Sequence, residues 1–223
     1  MLENIIPNWE LASERLIDAT IATLQMVGIA GILSFILGTT FGVLLVITKK
    51  AGILENLIIY NILNASINVI RSIPFLILLI LLIPLSRAIV GTGIGVAGAI
   101  IPLVFGTTPF FARQIESAIA ELDSGLIEAS LAMGMSPLEI IFSVYLRESI
   151  PSIARVTQIT FINLVALTTF AGAVGAGGLG DFAIQFGQHL GLADLLWVTI
   201  IIILILVSII QGIGNIVIKH SSK

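Results

Sequence analysis

The chain has 223 residues, of which 57% are hydrophobic and only 10% are charged, and its mean hydropathy is +1.15. Soluble domains carry roughly 25% charged residues, so the composition excludes an ordinary soluble domain and indicates an integral membrane protein. A formal net charge of −3 is too small to imply a nucleic-acid or acidic-lipid partner. No Cys is present for disulfide or thiol chemistry, and with only two His we expect no transition-metal site.

Residues 1–18 do not have the pattern of a secretory signal. They carry no basic region ahead of an apolar core, and the first long apolar run begins only after Asp18. We therefore expect the first membrane span to stay in the mature protein.

Five stretches are long enough to cross a membrane, which takes about 20 apolar residues in a helix. Four of them are free of charged residues, and the fifth is interrupted only by Arg71. The predicted fold class is therefore an all-α membrane protein with five transmembrane helices. In chain order these spans are residues 19–48, 57–86, 88–112, 156–180 and 195–218.

The distribution of Lys and Arg between the spans predicts the orientation of the chain. Seven basic residues fall on one face, and positive charge marks the cytoplasmic side of a membrane protein. The N-terminus is thus predicted to lie outside and the C-terminus in the cytoplasm, together with the long connection between the third and fourth spans. The seven are Lys49, Lys50, Arg113, Arg147, Arg155, Lys219 and Lys223, against Arg15 and Arg87 on the opposite face.

That connection, residues 121–151, is predicted to form two short helices. Asp123 is placed to cap the first helix, and Gly134 stands where a helix ends in a left-handed residue. Ser136 and Glu139 have the spacing of a capping box at the start of the second helix. The segment carries no Lys or Arg before Arg147, whereas helices lying on a membrane surface are usually basic. We therefore favour docking in a protein groove over the alternative, an elbow on the membrane surface.

The sequence EASLAMG, Glu128 to Gly134, resembles the Glu-Ala-Ala-x3-Gly loop of the permease subunits of bacterial ABC importers. In that family the loop forms a coupling helix that sits in a cleft of the cytoplasmic ATPase. We call residues 121–151 the coupling segment. Ser130 replaces the second Ala of the family pattern, and Arg147 stands where the family has a Pro. The resemblance implies ATPase coupling by Glu128, Ala129, Ser130 and Gly134.

Further stretches narrow the resemblance to methionine importer permeases. Arg71–Arg87 (RSIPFLILLILLIPLSR), Val90–Gly95 and Gly172–Asp181 (GAVGAGGLGD) look like the corresponding regions of that group. The resemblance covers nearly the whole chain and implies one ABC type-1 transmembrane domain, residues 1–223, that imports methionine, with the stereoisomer left open. The glycine-rich run also occurs in relatives that carry glycine betaine or phosphonate, which stay open as alternatives.

The resemblance also implies partners. They are a second copy of the chain, an ABC ATPase dimer, a substrate-binding lipoprotein or periplasmic protein, and membrane lipid, with no nucleic acid. The chain has no Gly-Lys dipeptide and so no G-x-x-x-x-G-K-[ST] phosphate loop. ATP and Mg²⁺ are thus expected on the ATPase, with no cofactor, metal or catalytic residue in this chain. A passive channel or a membrane-embedded enzyme is the rival class, although the spans supply no cluster of catalytic groups.

The run from Gly175 to Gly180 satisfies G-x-G-x-x-G but follows a predicted membrane helix, so it is not a dinucleotide fingerprint. Its glycines permit a backbone break near the outer end of the fourth span. Gly175 and Gly177 are therefore candidates for the permeation path, with close helix packing as the alternative. The resemblance places an apolar gate at or beside Phe170.

Arg71 is the one charged residue within a predicted span, and such charges often mark function. It either lines the path or has an ordinary role, bonding carbonyls freed by Pro74 or reaching toward the membrane surface. Arg113 and Glu116, three residues apart at the end of the third span, are predicted to pair.

Overall fold

The computed structural model describes residues 8–221, apart from the side chains of residues 10 and 11. Its regular elements are α-helices, with π-helical segments at Ile141–Leu146 and Ala183–His189, and a segment at Gly172–Ala176 that is broken by non-helical backbone at Val174 and Gly175. The α-helices are α1 (Trp9–Thr48), α2 (Leu57–Ser72), α3 (Phe75–Leu81), α4 (Ile83–Val90), α5 (Gly95–Ala120), α6 (Ser124–Ala132), α7 (Pro137–Ile140), α8 (Ile150–Ala171), α9 (Gly178–Phe182) and α10 (Ala193–Ser221).

Four helices in the described part of the chain are long and apolar enough to cross a membrane. They lie at Ala12–Thr48, Gly95–Ala120, Ile150–Ala176 and Ala193–Ser221. A fifth span is added if α2 and α3, which are bent by 102° relative to each other, together cross the membrane. The predicted all-α membrane fold is confirmed.

The region predicted as the second span, residues 57–86, is not one continuous helix. It is divided into α2, α3 and the first part of α4, and the sharp bend falls at Pro74. Pro74 has extended backbone angles, φ −55° and ψ 132°. A proline lacks the N–H that would continue the helix and forces the residue before it away from helical angles. The break is thus a local consequence of Ile73-Pro74.

The predicted third span starts too early in the sequence. Residues 88–90 belong to α4, which ends at Gly91 with a left-handed φ of 79°. The long helix α5 begins only at Gly95 and continues to Ala120, beyond the predicted end at residue 112. A run without charges therefore marks apolar chain but does not reveal the turn within it.

The contacts of the chain group into two compact units. The first contains residues up to 33, 73–106 and 161–211, and the second contains residues 34–72, 107–160 and from 212 onward. Since the two units alternate along the same helices, neither corresponds to a continuous stretch of sequence. The assignment of residues 1–223 to one transmembrane domain stays a prediction.

The first unit has two apolar cores. The larger one packs α1, α3, α5 and α8 through buried residues that include Met26, Leu79, Leu103 and Leu164. The second packs the start of α1 against Leu179, Phe182 and Phe186 of the glycine-rich region and the segment after it.

The second unit has its main core between α1, α5 and the coupling segment. Buried Val46, Phe111 and Ile115 pack there with Ile140 and Tyr145. The coupling segment is therefore fixed on the two long helices of its own unit.

Two glycines of α1 permit close contact with α5 in this unit. A Cβ atom on Gly42 would lie 2.6 Å from the Ile115 side chain and 2.7 Å from the Ala112 carbonyl oxygen. A Cβ on Gly38 would lie 2.7 Å from Phe111. Small residues at such contacts let membrane helices approach closely.

Candidate functional site

Helix α6 of the coupling segment is capped at its start as predicted. The Asp123 carboxylate accepts a hydrogen bond of 2.8 Å from the Gly125 N–H. This bond satisfies one of the amide groups that a helix leaves unpaired at its N-terminus. The helix begins at Ser124, as the sequence predicts.

The end of α6 is closed by a Schellman motif. The Gly134 N–H donates to the Leu131 carbonyl at 3.0 Å, and the Met135 N–H donates to the Ser130 carbonyl at 3.2 Å. Gly134 has a left-handed φ of 78°, which confirms its predicted conformation. These two bonds pair carbonyls that the helix end would otherwise leave free. The helix ends at Ala132, with Met133 as its C-cap.

The predicted capping box at the start of α7 is present. The Ser136 N–H donates to the Glu139 carboxylate at 2.7 Å, and the Ser136 hydroxyl also donates to it at 2.7 Å. In return, the Glu139 N–H donates to the Ser136 hydroxyl oxygen at 3.4 Å. The pKa of Glu139 is lowered, most by the hydrogen bond from the Ser136 hydroxyl and next by the hydrogen bond from the Ser136 N–H. The turn between the two short helices thus has a defined structure.

Helix α7 and the π-helical segment that continues it are anchored through one apolar face. Ile140, Ile141, Val144 and Tyr145 are all buried in the core of the second unit. Burial also raises the pKa of the Tyr145 hydroxyl. The backbone stays helical at Arg147, with φ −67° and ψ −49°, where the family pattern has a Pro. Arg147 therefore permits a nearly uninterrupted helical path toward α8.

The four predicted coupling residues do not share one environment. Glu128, Ala129 and Gly134 are exposed, whereas Ser130 is 5% exposed. The Ser130 hydroxyl donates to the Leu126 carbonyl at 2.7 Å, so this side chain bonds its own helix. Only three of the four residues are therefore available to a partner.

An exposed apolar surface accompanies these residues on the coupling segment. Contiguous exposed apolar residues on a protein typically mark an interaction surface. This surface, which we call the apolar patch, was not predicted as a unit, because the sequence does not show which apolar residues turn away from the core. Its members are Leu126, Leu131, Met133, Leu138 and Phe142.

A cavity of about 370 Å³ lies beside α6. Glu128 and Leu131 of α6 line it, together with Lys49 and Ile53 after α1, and Tyr145. Within residues 8–221, Lys49 and Glu128 form no ion pair although both face this cavity. The coupling segment therefore offers exposed apolar residues and borders a recess that is lined by charged residues of both signs.

A polar cluster around Arg113 lies in the second unit, and the sequence predicted only its ion pair with Glu116. Arg113 forms the expected ion pair with Glu116, at 2.6 Å. Its guanidinium group also donates to the side-chain oxygens of Asn68, at 2.9 Å, and of Asn64. The spacing of Asn61, Asn64 and Asn68 on α2, three and four residues apart, was the signal for a polar helix face.

The predicted pathway residues are divided between the two units, with Arg71 in the second and Phe170, Gly175 and Gly177 in the first. Phe170 is 51% exposed near the end of α8, and Gly175 follows it in a left-handed conformation with φ 89°. Val174 and Gly175 are both non-helical, so the predicted backbone break is present. Gly177, with φ 76°, lines a second cavity, which is formed by the first part of α1 and residues 177–186. Arg71 is exposed and, within residues 8–221, makes no hydrogen bond or ion pair, so carbonyls near Pro74 are not its partners.

Comparison with protein families matches this chain to a family of transport proteins. Residues 38–220 match the family described as "Binding-protein-dependent transport system inner membrane component". The match covers most of the chain and includes the whole coupling segment. The chain belongs to this family. As a member of it, the chain is a multi-pass membrane component of a transport system.

Individual relatives of the chain carry names that specify a transported solute. The "Probable D-methionine transport system permease protein MetI" of Vibrio cholerae is 46% identical over 218 residues, 97% of each chain. The protein of the same name from Pasteurella multocida is 41% identical over 207 residues, 93% of this chain and 94% of that protein. The "D-methionine transport system permease protein MetI" of Escherichia coli K12 is 46% identical over 131 residues, 59% of this chain and 60% of that protein.

Solved structures agree in fold. A chain of the MetNI methionine ABC transporter in an inward-facing conformation has a TM-score of 0.91 and 39% identity, covering 96% of this chain and 99% of that chain. A second crystal form of the same transporter gives a TM-score of 0.93 and 40% identity. An amino acid ABC transporter with 18% identity has a TM-score of 0.78, which shows the fold alone.

Proposed function

We propose that this chain is the permease subunit of an ATP-driven importer of methionine. The observation that carries the proposal is the 46% identity to the Vibrio cholerae MetI protein over 97% of both chains. The TM-score of 0.91 to a chain of the MetNI methionine transporter supports it. The permease acts as a dimer, and ATP hydrolysis takes place on a separate pair of ATPase subunits.

The coupling segment is the docking site for the ATPase. Helix α6 is closed by a cap at each end, and the following helix is held in the core by Ile140 and Tyr145. A force on the apolar patch or on Glu128 is therefore passed to α1 and α5 instead of unwinding the segment. Closure of the ATPase dimer on ATP is transmitted as a rigid-body rotation that switches the pathway between its two open states.

The same surface suits a protein groove better than a lipid surface. The coupling segment presents Glu121, Asp123, Glu128 and Glu139 at its surface beside the apolar patch. Surface-lying helices usually carry basic residues that meet anionic lipid, and this segment has none before Arg147. ATP and Mg²⁺ belong to the docked ATPase, because this chain has no phosphate-binding loop.

The pathway is shared between two copies of the permease. The N-terminus lies outside and the C-terminus in the cytoplasm, as the basic residues indicate. Arg71 and Phe170 are exposed in the single chain. A charged side chain is costly in lipid, so Arg71 is placed more favourably against a second copy of the chain or in the aqueous path. Gly175 and Gly177 supply the irregular backbone that membrane proteins tolerate beside a cavity. A substrate-binding protein delivers methionine to the outer face.

Uptake by the reconstituted complex tests the proposal. Proteoliposomes that contain the permease, its ATPase and its binding protein are expected to accumulate radiolabelled methionine only when ATP is supplied. Excess unlabelled methionine should abolish the signal, while glycine betaine and methylphosphonate should leave it unchanged. Accumulation of either of those solutes in place of methionine would identify the alternative substrate. Methionine flux through the permease alone, without ATP, would instead indicate a channel.

A further inference from the structure

A cavity of about 240 Å³ lies in the first unit, between the first part of α1 and residues 177–186. Arg15 and Asp18 of α1 line one wall, and Asp181 and Phe182 line the other. The charge distribution predicts that this end of α1 lies on the outer side of the membrane. The cavity is distinct from the coupling segment, whose residues belong to the second unit.

The two elements that line the cavity are joined by close contacts beside it. The Leu179 N–H donates a buried hydrogen bond of 2.8 Å to the Thr23 hydroxyl oxygen of α1. Gly178 has φ 84°, and a Cβ at this position would lie 2.8 Å from both Thr23 and Met26. Phe182 and Phe186 stack with ring centroids 4.5 Å apart. The two elements that line the cavity are therefore fixed to each other by a buried hydrogen bond and close packing.

Charges of opposite sign face this cavity without contacting each other. The Arg15 guanidinium lies 5.8 Å from the centre of the Phe186 ring. Both oxygens of Asp181 accept hydrogen bonds of 2.9 Å from the Gln185 side-chain amide, which orients the carboxylate. Within residues 8–221, no ion pair joins Arg15 to Asp18 or Asp181, and Asp18 has no hydrogen-bond partner.

Such a constellation matches the charges of an amino acid. An α-carboxylate suits the fork of donors on Arg15, and an α-ammonium suits the carboxylates of Asp18 and Asp181. Ala19, Ala22 and Phe182 supply apolar surface for a side chain. The volume lies below the range of roughly 300–1,000 Å³ that is usual for drug-sized ligands, so a small metabolite is the right size.

We propose that this cavity binds a small zwitterionic amino acid with an apolar side chain. The identity of that amino acid as methionine rests on the proposed function. Arg15 and Asp18 are exposed, so their charges are partly screened by water. The site binds its amino acid with low affinity at the outer end of the permease, so the bound amino acid is readily released.

Equilibrium binding to the complete permease–ATPase complex in nanodiscs, without the binding protein, tests this site. Radiolabelled methionine is expected to bind the wild type, and Arg15→Gln or Asp18→Asn is expected to weaken binding about tenfold, the usual effect of losing one charge-assisted hydrogen bond. Glu14→Gln is the matched control, because Glu14 is an exposed neighbour on α1 that does not line the cavity. It should bind methionine like the wild type, and Arg15→Lys should retain part of the affinity.

Ligand analogues separate the two ends of the zwitterion. N-acetylmethionine lacks the ammonium and methionine amide lacks the carboxylate, so both should compete at least tenfold less well than methionine. Equal affinity of the wild type, Arg15→Gln and Asp18→Asn would overturn the proposal, as would the absence of methionine binding to the wild type. All variants are first checked for unchanged assembly with the ATPase, which excludes misfolding as the cause of a loss.

Uptake with the binding protein present separates this proposal from the proposed function. ATP-driven methionine uptake by the wild type, combined with unaltered methionine binding by Arg15→Gln, would refute the site and retain the transport function. Failure of uptake in the wild type would refute the transport function itself. A loss of binding-protein affinity in Arg15→Gln, with methionine binding unchanged, would make the cavity a docking surface and overturn the amino-acid site.

Discussion

Replacement of Gly134 by Ala is expected to loosen the end of helix α6 in the coupling segment. Gly134 has φ 78°, a left-handed conformation that costs an L-residue roughly 1–2 kcal/mol. A Cβ at this position would meet no atom within 4 Å. The substitution therefore adds backbone strain without a steric clash, and this strain acts on the two hydrogen bonds of the Schellman motif.

That strain corresponds to a five- to thirtyfold increase in the population of the locally opened state. Amide hydrogen exchange of the purified complex measures this population directly. The amides at positions 134 and 135 should exchange faster by this factor, because they donate to the Leu131 and Ser130 carbonyls. Gly134→Asn should give a smaller increase, since Asn tolerates the left-handed conformation better than Ala.

Gly212→Ala is the matched control for this experiment. Gly212 lies within α10, and a Cβ there also meets no atom within 4 Å, but its φ is not positive. Exchange in the coupling segment should be unaffected by this change. Equal exchange of residues 134–135 in Gly134→Ala and the wild type would refute the assignment of strain to this turn.

Three further substitutions probe the coupling segment and its support. Glu128→Lys reverses an exposed charge and should reduce co-purification of the ATPase several-fold while membrane insertion stays normal; unchanged co-purification would argue against docking at this residue. Gly42→Ala forces a Cβ against Ile115 and should destabilise the complex by about 1–3 kcal/mol in thermal melting, whereas Gly28→Ala, which meets no atom within 4 Å, should not. Hydrogen bonds from Ser136 lower the pKa of Glu139 in the folded protein. The capping box therefore stabilises the turn fully at a pH above the ordinary Glu pKa, and this stabilisation is lost as the pH falls through the lowered pKa of the folded state. Amide protection of the turn, corrected for intrinsic exchange, should follow this pH dependence and lose it in Glu139→Gln.

Short-range signals in the sequence predict the coupling segment well. Asp123, Gly134 and the pair Ser136 and Glu139 act through bonds to residues at most three positions away, so their spacing is sufficient to predict the caps. The same holds for Arg113 and Glu116, which are neighbours on one helix. Local hydrogen bonds need no knowledge of the tertiary fold.

Features that depend on distant parts of the chain were not predictable in the same way. Arg113 bonds Asn64 and Asn68, which lie more than 40 positions away. The inward orientation of Ser130 depends on how α6 packs, although its family position suggested a role at the interface. The sequence names Pro74 as a source of freed carbonyls, but it does not give the 102° angle between α2 and α3.

The same distinction applies to the mixed-charge cavity of the first unit. Arg15 and Asp181 are 166 positions apart in the sequence, and nothing in either neighbourhood indicates that they face one space. The glycine-rich run did indicate an irregular backbone. The hydrogen bond from Leu179 of this run to Thr23 of α1 emerged only from the structure.

Site-directed cross-linking tests the central claim, docking of an ATPase on the coupling segment, most directly. The chain has no Cys, so an introduced cysteine is the only thiol of the permease, and the unsubstituted permease serves as the blank for the cross-linker. Met133→Cys places it on the apolar patch, where Met133 is 73% exposed, and Ile94→Cys places it at a control position that is 67% exposed between α4 and α5. In the assembled complex, a short thiol-to-amine cross-linker should join the ATPase to position 133 and not to position 94. Failure at position 133, or an equal yield at position 94, would contradict the account.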